Sequence, residues 1–204
     1  MTIYYQFSGP SDENKGFDDV TLSYLKEDCS AVKHVLVIAS DLKDYATTDF
    51  YFQQNLPWFN HFIPAGFTMH LLDGRVSKKQ AQTLLETADC IHLMGGYTEN
   101  QQALLKHFEV TKEKLDKADV VFGTSAGAMA LGPVLMGTHD PTLIMQGLQC
   151  SPFVIWPHYE ANLKEKIIEQ SVQYPNMIAL EDDSGLRIEG TSYQFINKGI
   201  HQIK

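Results

Sequence analysis

Short apolar runs alternate with stretches of helical periodicity over the first two-thirds of the chain. Met1-Thr2-Ile3-Tyr4-Tyr5-Gln6-Phe7 alternates like a strand, and a loop over residues 8–17, including Ser11 and Glu13, leads to a short helix near Asp18–Lys26. His34-Val35-Leu36-Val37-Ile38-Ala39 is a continuous β-branched run, the pattern of a strand covered on both faces. Residues 46–63 carry Tyr51, Leu56, Trp58, Phe59 and Phe62 and predict a helix with its aromatic side chains turned inward, closed by Pro64-Ala65-Gly66. Phe67–Leu72 is the next strand. Ser77 caps a helix in which Ala81, Leu84, Leu85 and Ala88 share one face. Ala88–Met94 is a further strand, and it ends in Gly95-Gly96-Tyr97. Thr98 with Gln101 has the spacing of a capping box opening another helix. Lys112–Ala118 continues helical, and Asp119 leads into Val120-Val121-Phe122.

Strand and helix thus alternate four times, which predicts an α/β fold with a parallel sheet covered by helices on both faces. Ligands of such sheets bind outside the carboxyl ends of the strands, where Gly95-Gly96 and Ser125 both fall. After Leu131 the regularity weakens. Residues 132–157 read as loops and short strands, Glu160–Val172 as an amphipathic helix, and Met177–Leu180 as a strand before the acidic turn Glu181-Asp182-Asp183. Ser184–Ile188, Tyr193–Asn197 and Gly199–Ile203 are expected as antiparallel strands that close the domain. Neither a repeat nor an interdomain linker is visible, so residues 1–204 are expected to form a single domain.

Composition narrows the partners. The 204 residues are 44% hydrophobic and 20% charged, ordinary for a globular chain, and the net charge of −9 offers no basic stripe to nucleic acid. The three cysteines, Cys29, Cys90 and Cys150, are scattered, with no CxxC pair, so neither a disulfide framework nor a metal cluster is expected. Cys90, inside an apolar strand, reads as a small core residue. No apolar run approaches the roughly 20 residues of a membrane span, and the N-terminal stretch lacks the marks of a signal peptide. A cytoplasmic chain, with no membrane partner, no metal and no organic cofactor, is the expectation.

Chemistry concentrates at Gly123-Thr124-Ser125-Ala126-Gly127. A Gly-x-Ser-x-Gly turn between a buried strand and a small-residue helix is the pattern of a nucleophile elbow, which lifts the serine hydroxyl from the sheet edge. The Ala126 amide points the same way and would stabilise developing negative charge. A turn that only packs, or that binds phosphate, is the plainer reading. A serine needs a base, and histidine is the usual one. Of eight histidines, His139 and His158 lie in loops downstream of the elbow. His158 follows the apolar Phe153-Val154-Ile155-Trp156-Pro157, which would set it at the edge where Ser125 emerges, although a histidine in a loop is by itself more often only a loop residue. The carboxylate that would orient it has two candidate places. Asp140 gives the chain order Ser–acid–His, and the Glu181-Asp182-Asp183 cluster gives Ser–His–acid. The cluster is preferred because a strand end holds a side chain more rigidly than a proline-flanked loop.

These residues resemble the S51 serine peptidases, the family of peptidase E and cyanophycinase. The resemblance covers most of the chain and lies in Gly123–Ala128 for the GxSAGA motif, the Gly95-Gly96 pair, Pro157-His158, and an acid near the last core strand. It implies a three-layer α/β sandwich with a mostly parallel central sheet, class I glutamine amidotransferase-like, with serine in place of that superfamily's cysteine. It further implies Ser125 as nucleophile, His158 as general base, Asp182 as the acid, and the Gly96 and Ala126 amides as the oxyanion hole. Asp140, in a Thr-x-Asp context similar to a peptidase E segment, would shape the substrate site or serve as the third triad member. Tyr97 stands where the family usually has asparagine. The resemblance implies small peptide substrates, including the Asp-Xaa type, which require a cation for the aspartyl carboxylate; spacing alone singles out none. A monomer or a homodimer is expected.

The leading expectation is therefore a serine-type dipeptidase. An α/β-hydrolase esterase also uses Gly-x-Ser-x-Gly, but its chain order requires Asp140 to act with His158. A non-catalytic binding protein on an amidotransferase-like scaffold is the reading from a different class.

Overall fold

A computed structural model of the chain describes residues 1–10, 12 and 14–202. Ser11 and Glu13 in the expected loop, and Ile203 at the end of the last expected strand, lie outside the described residues. The alternating part runs β1 (Ile3–Phe7), α1 (Asp19–Asp28), β2 (His34–Ile38), α2 (Tyr45–Phe59), β3 (Thr68–Leu72), α3 (Lys78–Thr87), β4 (Cys90–Leu93), α4 (Thr98–His107), α5 (Lys112–Leu115), β5 (Val120–Thr124) and α6 (Ala126–Leu131). The remainder is β6 (Val134–Met136), β7 (Ile144–Gln146), β8 (Val154–Trp156), a 3-10 turn at Ala161–Leu163, α7 (Lys164–Ser171), β9 (Met177–Leu180), β10 (Gly185–Glu189), β11 (Ser192–Ile196) and β12 (Ile200–Gln202).

The central sheet has seven strands in the order β11-β10-β1-β5-β4-β2-β3. β1, β5, β4, β2 and β3 run parallel, and β10 and β11 extend the sheet antiparallel beyond β1. Successive residues of a strand face opposite sides, and the core divides accordingly. Leu36 and Ile38 of β2 pack with α3, α4 and α6 residues such as Leu85, Leu104 and Met129. Val35 and Val37 pack on the other face with Leu25 of α1 and Trp58 and Phe59 of α2. Helices therefore cover both faces, and the β-branched runs are buried because each has two neighbouring layers.

Several expectations need correction. Thr98 and Gln101 do not form a capping box: Tyr97 holds the N-cap position of α4 without a side-chain bond. The Thr98 hydroxyl instead donates to the Met136 carbonyl at 2.9 Å, and Gln101 Nε2 donates to the Met94 carbonyl at 2.8 Å. Both side chains are buried and tie α4 to its neighbours, which outweighs local capping. At α3 the box is complete, with Ser77 and Gln80 bonded reciprocally. α2 closes at Phe59, short of residue 63, just after the internal Pro57. Trp58, Phe59 and Phe62 are buried, whereas Tyr51 and Leu56 are exposed. The expected helix over Glu160–Val172 is a 3-10 turn followed by a shorter α7, in which Ile167 is buried and Ile168 and Val172 are exposed. β12 does not join β10 and β11. Asn197 has φ 68°, and the turn carries the chain to β9, with which β12 pairs antiparallel. β9 also pairs parallel with β8, giving a second, three-stranded sheet.

Cys29, Cys90 and Cys150 are free and buried. Among the described residues, no helix is long and apolar enough to cross a membrane.

His92 of β4 is fully buried, its ring stacked on Phe122 with centroids 4.4 Å apart. Nε2 lies 3.3 Å from Thr124 Oγ1, and Nδ1 has no partner. Burial pushes its pKa from 6.5 down to about 3. The unfolded chain therefore binds the extra proton first as pH falls from 6.5 toward 3, and stability is lost across that window. His92→Phe is expected to flatten this acid slope by up to about 1.4 kcal/mol per pH unit. Urea midpoints of both proteins between pH 6.5 and about 4 measure it, and equal slopes would refute the assignment.

Candidate active site

β5 is buried along its whole length and delivers the chain into a turn that only small residues permit. A Cβ on Gly123 would stand 2.3 Å from the Gly127 carbonyl carbon, and one on Gly127 would stand 2.1 Å from the Leu93 oxygen. Without those side chains, α6 descends directly onto β5 and β4. Ser125, between the two glycines, is held at φ 51°, ψ −114°, a conformation that L-residues rarely adopt. Its amide donates to the Phe7 carbonyl of β1 at 2.9 Å. The Ser125 side chain is thereby fixed at the carboxyl edge of the sheet.

His158 follows β8 with φ 54°, and its Nε2 lies 2.8 Å from Ser125 Oγ. Its Nδ1 lies 2.8 Å from Asp182 Oδ1, just past β9. A carboxylate accepts only, so Nδ1 carries the hydrogen and Nε2 presents its lone pair to the serine. The His158 and Asp182 side chains are 52% and 57% exposed, so the pair orients the ring more than it stabilises the fold.

Glu181 and Asp140 are engaged elsewhere. Glu181 Oε1 lies 2.7 Å from His201 Nε2. Burial, with Asp18 and Asp182 nearby, raises the pKa of Asp183. Asp140 is exposed and accepts from the hydroxyl of Thr142 at 2.6 Å and from its amide at 3.0 Å. The structure thus sets Asp182 against His158 and leaves Asp140 in the loop after β6. The Ser–acid–His order of the esterase reading has no counterpart in this arrangement.

Ser8 and Gly9, read from sequence only as loop, lie against His158 and Asp182. The Ser8 hydroxyl accepts from the His158 amide at 2.7 Å and lies 3.1 Å from Asp182 Oδ1, to which it donates. A Cβ on Gly9 would stand 2.5 Å from that oxygen. A small-residue pair just past a strand end was the one available signal. Ser8→Ala leaves the His158 amide without its acceptor and Asp182 Oδ1 with the imidazole as its remaining donor of the two. Turnover is expected to fall about fivefold with the fold intact, the cost of one hydrogen bond of ~1 kcal/mol. Steady-state kinetics beside a thermal melt check this, and unchanged turnover counts against the role.

Gly95 and Gly96 thread between Ser125 and Ser40. A Cβ on Gly95 would stand 3.3 Å from Ser125 Cβ, and Gly96, at φ 151°, faces Ser40 Oγ at what would be 2.2 Å. Gly96 and Ala126 border a cavity of about 210 Å³ beside Ser125 that reaches Met136, Trp156 and His158. Gly96 also borders a second cavity of about 260 Å³, lined by Asp41, Asp44, Tyr51 and Tyr97. Tyr97 packs tilted against His139, with ring centroids 4.6 Å apart, and does not line the Ser125 cavity. Among the described residues, no group of three or more His, Cys, Asp or Glu could hold a metal ion.

Comparison with known proteins sets this geometry in context. The model of peptidase family S51 matches residues 20–196. Two curated proteins named peptidase E, from the PittGG and Rd strains of Haemophilus influenzae, are each 34% identical over a 91-residue alignment covering 40% of this chain. That alignment takes in 38% and 40% of their own lengths, so the chain matches about two-fifths of each relative. The crystal structure of a candidate peptidase E from Listeria monocytogenes EGD-e superposes with a TM-score of 0.71 at 20% identity, covering 97% of this chain and 99% of that one. A peptidase from an acI-B1 Actinobacterium gives a TM-score of 0.69 at 16% identity, covering 100% and 91%. At these identities the likeness speaks to architecture: a class I glutamine amidotransferase-like sandwich.

Proposed function

The chain belongs to peptidase family S51, and from that premise we propose that it is a serine-type peptidase of small peptides, acting through Ser125, His158 and Asp182. The observation that carries this reading is the unbroken chain of two 2.8 Å contacts from Asp182 through His158 to Ser125, ending at a strained elbow.

In this mechanism His158 Nε2 takes the Ser125 proton as Oγ attacks the scissile carbonyl carbon. The oxyanion forms opposite the Gly96 and Ala126 amides. When it collapses, the C–N bond breaks and His158 returns its proton to the leaving amine. Water, deprotonated by the same nitrogen, then attacks the acyl-enzyme and frees Ser125. Asp182 keeps the imidazole in the required tautomer and stabilises the imidazolium. Asp-Xaa dipeptides are one substrate class suggested by the resemblance.

A fluorophosphonate probe tests the reading without a known substrate. Rapid labelling, mapped to the peptide containing Ser125 and lost in His158→Ala, is the expected result. An unlabelled protein would favour the non-catalytic scaffold instead.

A further inference from the structure

We propose that the cavity beside Ser125 receives an uncharged, apolar side chain of the substrate, one of the two flanking the scissile bond, and rejects a carboxylate there. This rests on the serine-peptidase reading and narrows its substrate class away from the Asp-Xaa type.

Met129, Met136, Pro141, Trp156 and Pro157 supply hydrophobic surface, and among the described residues the one ionisable lining side chain is His158, which Asp182 and Ser125 already engage. No Lys or Arg lines the cavity among the described residues. The hydroxyls of Thr98 and Thr138 are occupied as well. Thr98 Oγ1 donates to the Met136 carbonyl and accepts from the Thr138 amide at 3.0 Å, and Thr138 Oγ1 accepts from the Thr98 amide at 3.1 Å.

The charge behind this wall is negative. Glu99 Oε2 lies 3.2 Å from Thr98 Oγ1, and a Cβ on Gly137 would stand 2.9 Å from Glu99 Oε1. Asp140 stands in the same loop, its carboxylate held by Thr142. A substrate carboxylate entering here would lose water, find no cation and face like charge. Among the described residues, no Lys or Arg lines the second cavity beside Gly96 either, and its charged lining residues are Asp41 and Asp44. Lys166 lies close by, but its ammonium rests 5.8 Å from the centroid of the Trp156 ring and it is not part of the wall. An apolar side chain meets none of these costs and gains contact with the methionines, the indole and the prolines.

The test is kcat/KM on a dipeptide panel, Xaa-Ala and Ala-Xaa with Xaa as Leu, Met, Lys or Asp, alongside fluorophosphonate labelling of Ser125. Wild type, Ser125→Ala, Pro141→Arg and Lys166→Met are compared. At one of the two positions, Leu or Met is expected to exceed Asp by at least ~10²-fold, because the Asp carboxylate would be desolvated without a partner. Lys166→Met should leave that ratio unchanged, and Pro141→Arg, which places a cation in the wall, should narrow it at least about tenfold. A smaller Leu/Asp ratio at both positions overturns the proposal while leaving the serine mechanism standing if Ser125→Ala is dead. Labelled Ser125 without cleavage of any apolar dipeptide also overturns the proposal alone. Neither label nor cleavage overturns the serine-peptidase reading, and this inference with it.

Discussion

Ser125→Ala is expected to lower kcat/KM on any dipeptide the wild type cleaves by ~10⁴–10⁶, with circular dichroism and urea midpoint essentially unchanged. Alanine keeps the Cβ of serine, so the strain at φ 51° and the Phe7 bond to the Ser125 amide remain. What disappears is the oxygen 2.8 Å from His158 Nε2. None of the three cysteines offers a thiol in its place, since Cys29, Cys90 and Cys150 are all buried. The residual rate would come from the oxyanion amides and from substrate positioning. Because His158 is half exposed, water replaces its lost partner, which is why the fold should not notice. Activity within tenfold of wild type would end the nucleophile assignment.

Asp182→Asn is expected to cost ~10²–10⁴ in kcat, whereas Asp140→Asn should stay within about threefold of wild type. The asparagine amide is neutral and can turn its NH₂ toward Nδ1, which would leave the hydrogen on Nε2, the nitrogen that must accept from Ser125. The 57% exposure of Asp182 places the loss toward the lower end, because solvent softens the removal of one charge. Asp140 touches Thr142 and not the imidazole, so its substitution should perturb only the loop. The pair of variants separates the two chain orders weighed from sequence. A larger loss from Asp140→Asn would reassign the acid.

The elbow was legible because its causes are local. A β-branched run, two glycines around a serine and a small-residue helix allow few other readings, and the 2.1–2.3 Å approaches at Gly123 and Gly127 show why. From the residues alone the candidate acid was legible only as a cluster, and it was the family resemblance that singled out Asp182. Choosing among Glu181, Asp182 and Asp183 depends on His201, on Asp18 and on the direction of the turn at Asp183, φ 73°, none of which has a local signature. Thr98 and Gln101 had the spacing of a cap, but spacing does not reveal that Met136 and Met94 offer buried carbonyls to the same side chains. Ser8 stands 150 residues from the amide it serves, and before residue 20, where the family match begins.

The end of β1 has a mechanical meaning. Phe7 takes the Ser125 amide, Ser8 takes the His158 amide and approaches Asp182, and the Ser8 amide donates to the Ser184 carbonyl at 3.1 Å. His158 and Asp182 follow neighbouring strands of the small sheet, tied further by the Tyr159 amide to Leu180 at 2.8 Å. Imidazole and carboxylate therefore travel as one piece, the hydroxyl rides on another, and a two-residue datum sets the gap between them. Breathing between the two sheets would change the serine–histidine separation first and the histidine–aspartate separation last.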